Sequence, residues 1–225
     1  ILFTTYKIKQ PSTSGGVWAR AKSVQELDKI IQYDFNNHQN LFKHLNIMID
    51  EFLKNKLLTA FAISYGKKLR FIMSNSSPLN DLILIINILT GEYNDILEKV
   101  IIFDPKLKNL IAVLNERDKY LFETHLKDSR NIITNKDNTE LQNAILKASN
   151  GIYPEKVIFI DDTKNDFSNQ DGLVLLNAIL KISNSSNYDI TDIQTGLASL
   201  VRFGLLNDFR AISNELLIME YFKKI

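Results

Sequence analysis

One stretch decides the fold that the sequence predicts, KVIFIDDTKND at residues 156–166. Residues 157–160 are a run of apolar side chains, most of them β-branched, and the carboxylates of Asp161 and Asp162 follow directly. A buried strand of a parallel sheet has such a continuous apolar run, and α/β proteins bind ligands outside the carboxyl ends of their strands. The stretch therefore predicts a central strand that ends at a binding site.

The composition is that of an ordinary globular chain. It has 225 residues, 45% of them hydrophobic and 24% charged, with a formal net charge of +1. This charge would recruit neither nucleic acid nor an anionic membrane, and no apolar run is long enough to span a bilayer. The absence of cysteine excludes disulfides and Cys-ligated metals and fits a reducing compartment. We expect a cytoplasmic protein, or one delivered into a host cytosol, with no nucleic-acid or membrane partner.

Strand and helix patterns alternate outward from the opening stretch. Shorter apolar runs predict further strands, at residues 1–6, 68–73, 100–103 and 131–134. Helical spacing predicts helices, at about 24–33, 41–53, 78–89, 106–127, 138–149, 172–183, 191–203 and 208–223. Asp137 and Glu140 are the expected capping pair of the helix over 138–149, and Thr191 and Gln194 have the spacing of a capping box at the start of the helix over 191–203. Such alternation predicts an α/β fold, a three-layer sandwich around a mostly parallel sheet.

The same reading gives a domain organisation. We expect the first strand and a loop of the core at residues 1–16, followed by a cap-like helical insertion at 17–66. The α/β core continues over residues 67–185, and a helical C-terminal extension covers 186–225.

Polar side chains follow three of the predicted strands. Ser74 ends one strand, Lys136 follows another just before a helix, and Asp161 and Asp162 end a third. A hydroxyl and a lysine can hold and neutralise phosphate oxygens, while paired carboxylates can hold Mg²⁺. Together they predict a phosphate-and-magnesium site at one edge of the sheet.

The order of these groups resembles the motifs of the haloacid dehalogenase-like superfamily. Residues 157–165, VIFIDDTKN, are similar to its fourth motif, Lys136 suits its third, and residues 71–76, FIMSNS, look like its second. The resemblance implies that Ser74 binds phosphate, Lys136 stabilises it, and Asp161 or Asp162 ligates Mg²⁺. It implies a magnesium-dependent phosphatase that acts on a phosphorylated small molecule or protein.

The first motif of that superfamily, which carries an aspartate nucleophile, has no counterpart in residues 1–6, ILFTTY. A threonine hydroxyl is a poor phosphate acceptor without an added base. Three alternatives follow: a nucleophile upstream of Ile1, a misaligned first strand, or a fold without phosphatase chemistry. The third alternative predicts a catalytically inactive binding or regulatory module that contacts a protein partner. A metal-dependent transferase that holds a nucleotide sugar is a further hypothesis.

Each of these residues also has a purely structural interpretation. Asp161 and Asp162 can belong to a solvated turn, Lys136 to the surface, and Ser74 to a helix cap. Trp18 is interpreted as a packing anchor, and the three histidines have no spacing typical of a zinc site.

Overall fold

The computed structural model describes residues 17–73, 78–122, 138–154, 176, 180 and 189–222. Within these residues there are helices and no β-strand. The helices are α1 Val17–Tyr33, α2 His38–Lys54, α3 Leu58–Arg70, α4 Leu79–Thr90, α5 Asn94–Leu97, α6 Pro105–Phe122, α7 Glu140–Ser149, α8 Ile190–Arg202 and α9 Leu206–Phe222. The predicted three-layer α/β sandwich, and with it a Rossmannoid core, is therefore wrong, because the described part of the chain is all-α.

The strand predicted at residues 68–73 is the end of a helix. Helix α3 continues to Arg70, and its buried stripe of Phe61, Tyr65 and Leu69 keeps the helical spacing. A short apolar run cannot be assigned to a strand or a buried helix by periodicity alone, and here the preceding residues decide in favour of the helix.

The strand predicted at residues 100–103 is an irregular segment between α5 and α6. The backbone N–H groups of Phe103 and Asp104 donate to the carboxylate of Asp81, at distances of 2.9–3.2 Å. A side chain of α4 thus takes the place of a neighbouring strand as the hydrogen-bond acceptor. The strands predicted at residues 1–6, 131–134 and 156–160 lie outside the described residues.

Helix predictions that rested on amphipathic spacing and glycine are confirmed. Helix α2 buries Leu41, Leu45, Met48, Ile49 and Phe52 on one face, as its spacing indicates. Gly91, Gly151 and Gly204 follow α4, α7 and α8 with positive φ angles of 75°, 71° and 72°. Left-handed backbone favours glycine, so these residues mark the helix ends in the sequence.

Two predicted helix starts are wrong. Helix α7 begins at a capping box made by Thr139 and Gln142, instead of the expected pair Asp137 and Glu140. Helix α8 is capped by Asp189, whose carboxylate accepts from the N–H groups of Thr191 and Asp192.

The chain divides into two compact units, Ile1–Pro105 and Lys106–Ile225. In the first unit α4 is the central helix, because residues 79–89 are all buried and both α2 and α3 pack against it. Gly66 permits the close approach of α3 and α4, since a Cβ there would lie 3.2 Å from Thr90 Cγ2. Asn87 of α4 donates to the carbonyl of Ile83 and accepts from Arg70, which satisfies a buried amide.

In the second unit α7 packs against α8, and α9 packs against both of them. Helix α6 is joined to α9 by Arg117, whose side chain is 1% exposed. Its guanidinium donates to Ser213 Oγ at 2.7 Å, to Asn214 Oδ1 at 2.5 Å and to Asp118 Oδ1 at 2.8 Å. Buried polar groups are stable only when partnered, and this arginine meets that condition.

Candidate functional site

All four residues of the predicted phosphate-and-magnesium site lie outside the described residues. Ser74, Lys136, Asp161 and Asp162 therefore stay a prediction, and so does the magnesium ion. Among the described residues, no group of three or more His, Asp or Glu side chains is arranged to hold a metal ion. His44 contacts the carbonyl oxygen of Ser23 through its Nε2 at 3.0 Å and so joins α2 to α1.

Three contacts join α1 to α2 and to α3 in the first unit. Arg20 near the start of α1 pairs with Glu51 near the end of α2 at 3.7 Å, so these two helices run antiparallel. Asp28, in the second half of α1, accepts from the Tyr65 hydroxyl at 2.9 Å and pairs with Lys68 at 3.5 Å. The second half of α1 therefore meets the second half of α3 at Asp28.

Three exposed aromatic side chains lie at or just beyond the carboxyl ends of α1 and α3. Tyr33 is the last residue of α1 and is 76% exposed, while Phe35 in the following turn is 47% exposed. Phe71 directly follows α3 and is 82% exposed. We call Tyr33, Phe35 and Phe71 the aromatic end.

The contacts beneath the aromatic end hold α1 and α3 together. Tyr65 is 4% exposed, and Lys68 Nζ lies 4.8 Å from the centre of its ring. Burial raises the pKa of the Tyr65 hydroxyl above its usual value, and the hydrogen bond to Asp28 and the negative charge of that carboxylate raise it further. The hydroxyl therefore stays protonated and remains a donor to Asp28.

The surface around the aromatic end carries cations. Lys29 of α1 and Lys67 of α3 are exposed, and neither has an ion-pair partner among the residues that the structure describes. The carboxylate of Asp34, also at this end, accepts from Asn40 Nδ2 at 3.4 Å. Lys29 and Lys67 thus each stand four residues before an exposed aromatic residue, Tyr33 and Phe71 respectively.

The second unit contains a pocket of about 190 Å³ between α6, the start of α7 and α9. It is lined by Lys106, Asn109, Leu110, Thr139, Gln142, Leu217, Glu220 and Tyr221. We call it the amide pocket, because the side-chain amides of Asn109 and Gln142 meet there. Leu110 and Leu217 are buried at its base, and Tyr221 lies at its wall.

Sequence reasoning missed both of these features. The signal for the amide pocket was present, since Thr139 and Gln142 have the spacing of a capping box, but the acidic pair two residues earlier was preferred. The aromatic end could not be found from the sequence, because Phe71 was assigned to the apolar interior of a strand. Only the contacts of Asp28 with Tyr65 and Lys68 show that α1 and α3 meet.

No protein-family model matches this chain, and no curated protein or solved structure is significantly similar to it. The resemblance to the haloacid dehalogenase-like superfamily rests on its short motifs alone. In the described part of the chain no helix is long and apolar enough to cross a membrane.

Proposed function

We propose that this chain is a non-catalytic helical binding module that contacts a protein partner through its aromatic end. The observation that carries the proposal is the exposure of Tyr33 and Phe71, 76% and 82%, at the ends of two helices that Asp28 joins in a unit with a well-buried core. A single exposed apolar residue is normal, but grouped apolar side chains at a surface mark interaction sites.

Aromatic side chains suit such a contact for energetic reasons. Each ring buries a large apolar area on binding and immobilises few rotatable bonds, so aromatic residues are enriched among those that dominate binding energy. The hydrogen bond between Tyr65 and Asp28 holds α1 and α3 in place, so little ordering of the backbone is needed when a partner binds.

The charges around the rings indicate the chemistry of the partner. Lys29 and Lys67 would attract carboxylates and increase the rate of encounter. We therefore expect a partner segment whose apolar side chains cover the rings and whose acidic side chains lie at the edge. The absence of cysteine agrees with a cytoplasmic or host-cytosolic setting.

Site-specific photocrosslinking tests the proposal. Phe71 is replaced by p-benzoylphenylalanine, and Ile63, a 70% exposed residue of the same helix, is replaced in a matched control. In cells we expect a defined protein adduct from position 71 and a much weaker adduct from position 63. The adduct from position 71 should be lost when Tyr33→Ser and Phe35→Ser are added.

A charge reversal provides the second arm of this experiment. Lys67→Glu should weaken the adduct, and the effect should be greater at low salt, because exposed charges are screened by ions. Equal adducts from positions 63 and 71, or an adduct that survives both serine substitutions, would contradict a contact through the aromatic end.

The phosphatase remains a separate prediction from the sequence. Magnesium-dependent hydrolysis of p-nitrophenyl phosphate that is lost in both Asp161→Ala and Asp162→Ala would favour the enzyme over the binding module.

A further inference from the structure

The side chain of Gln142 has an unusual position in the amide pocket. It is only 8% exposed, and its Oε1 accepts from the backbone N–H of Thr139 at 3.2 Å. The same oxygen lies 3.5 Å from Asn109 Nδ2. The backbone N–H is always a donor, so it fixes the orientation of the amide and turns Nε2 away from Thr139.

This orientation leaves a donor and an acceptor unused. Among the described residues, the hydrogen bonds of the Gln142 side chain go through Oε1, and Nε2 is left to solvent. Asn109 presents its Nδ2 to the oxygen of Gln142, so its own Oδ1 has no partner there either. Water satisfies such groups in the free pocket, so a ligand that binds there must replace those hydrogen bonds with a matching acceptor and donor.

We infer that the amide pocket is a binding site for a small ligand that carries a carboxamide group. The carbonyl oxygen of such a ligand accepts from Gln142 Nε2, and its N–H donates to Asn109 Oδ1. Its apolar part contacts Tyr221 and the accessible edge of Leu110, which line the same pocket. This site goes beyond the proposed protein contact, which uses the first unit only.

The size of the pocket limits the ligand. Sites for drug-sized molecules usually measure about 300–1,000 Å³, and this pocket measures about 190 Å³. It therefore suits a single aromatic amide or an amide side chain of a peptide, and a dinucleotide is too large. Benzamide is a suitable probe because it joins a carboxamide to one apolar ring.

Titration of the purified full chain with benzamide, followed by NMR, tests the site. We expect binding with a dissociation constant on the order of 1 mM, typical of a ligand with so few atoms. The shifted signals should include the side-chain amides of Asn109 and Gln142.

Gln142→Glu is the decisive variant, because it keeps the capping box and changes the ligand contact. A carboxylate still accepts from the N–H of Thr139, as in the common Thr-x-x-Glu cap. Its second oxygen replaces the Nε2 donor and repels the carbonyl of benzamide. We expect affinity to fall at least about tenfold, with an unchanged or higher melting temperature.

Asn115→Asp is the matched control, since it adds the same charge at an exposed position of α6 outside the pocket. It should bind benzamide like the unaltered chain. Benzamidine, which offers donors only, should bind Gln142→Glu more tightly than it binds the unaltered chain. Absence of benzamide binding at tens of millimolar, or equal binding by the unaltered chain and Gln142→Glu, would overturn the inference.

Discussion

Arg70 in the first unit and Arg117 in the second each join two helices, and these two arginines differ in their exposure to water. Arg70 in the first unit has a side chain that is 23% exposed, and its ion-pair partner Glu92 is 63% exposed. Arg117 in the second unit is 1% exposed, and its partner Asp118 is 21% exposed. Both arginines also donate to an asparagine, Asn87 in the first unit and Asn214 in the second.

The difference shows what an ion pair contributes at the edge of a helix contact and inside one. Water can replace a lost partner at an exposed pair, which therefore contributes little to stability. A buried guanidinium has no such replacement, so the loss of one partner leaves an uncompensated charge. The same kind of ion pair thus contributes little to stability at Arg70 and much more at Arg117.

Removing the carboxylate from each pair gives the largest expected effect. Asp118→Ala should lower the free energy of unfolding by about 3 kcal/mol, because Arg117 and Arg210 both lose it as an acceptor. Glu92→Ala should cost less than about 1 kcal/mol.

Urea denaturation of the two variants and the unaltered chain measures this contrast. Glu92→Ala is the matched control, as it removes one carboxylate from an arginine pair of the other unit. Equal losses in the two variants would show that burial does not decide the strength of these pairs.

Tyr65, beneath the aromatic end, makes a contribution to the free energy of unfolding that depends on pH. Tyr65→Phe removes the hydrogen bond to Asp28 and should cost about 1 kcal/mol at neutral pH. The pKa of Tyr65 is raised in the folded state, so the folded protein binds this proton more tightly than the unfolded chain. The contribution is therefore complete below the unfolded pKa, about 10, and decreases as the pH rises above it.

The stability difference between the unaltered chain and Tyr65→Phe, measured from pH 7 to 11, tests this sign. It should be constant up to about pH 9 and should decrease above pH 10, in proportion to ionisation of the unfolded chain. Tyr33→Phe is the control, because Tyr33 is 76% exposed. A difference that grows above pH 10 would contradict the raised pKa.

The sequence predicted the local elements of this fold better than its class. The stripe from Leu41 to Phe52 and the glycines after α4, α7 and α8 specify helices through spacing and backbone conformation, which are local properties. The strand at residues 68–73 failed because four apolar residues in six suit a strand or a buried helix end equally well. The same choice, repeated at residues 100–103, added two strands to an α/β prediction that began from residues 156–160.

The candidate sites depended on long-range contacts and could be predicted only in part. Gln142 could have been identified as a capping residue from its spacing to Thr139, but its approach to Asn109 depends on how α6 and α7 pack. The motif residues Ser74, Lys136 and Asp161 were chosen because parallel strands would bring them together. Without that sheet in the described part of the chain, chain order alone gives no reason for them to meet.

The ends of α2 and α8 differ in the residue that adopts the left-handed conformation, and this difference has the smallest expected effect on stability. Helix α8 ends with Gly204 at φ 72°, and the N–H of Leu205 donates to the carbonyl of Leu200 at 2.9 Å. Helix α2 ends with the same pattern, since the N–H of Leu57 donates to the carbonyl of Phe52 at 2.8 Å. The left-handed position of α2, however, is occupied by Lys56 at φ 57°.

Exchanging the residue types at these two positions tests whether backbone strain alone separates them. Lys56→Gly should raise the free energy of unfolding by about 0.5–1 kcal/mol, because glycine adopts the left-handed region without the steric cost of a Cβ. Gly204→Ala should lower it by about 1 kcal/mol for the same reason, as no atom lies within 4 Å of the added Cβ. If chemical denaturation finds Lys56→Gly neutral or destabilising, the lysine side chain must contribute a contact that offsets its strained backbone.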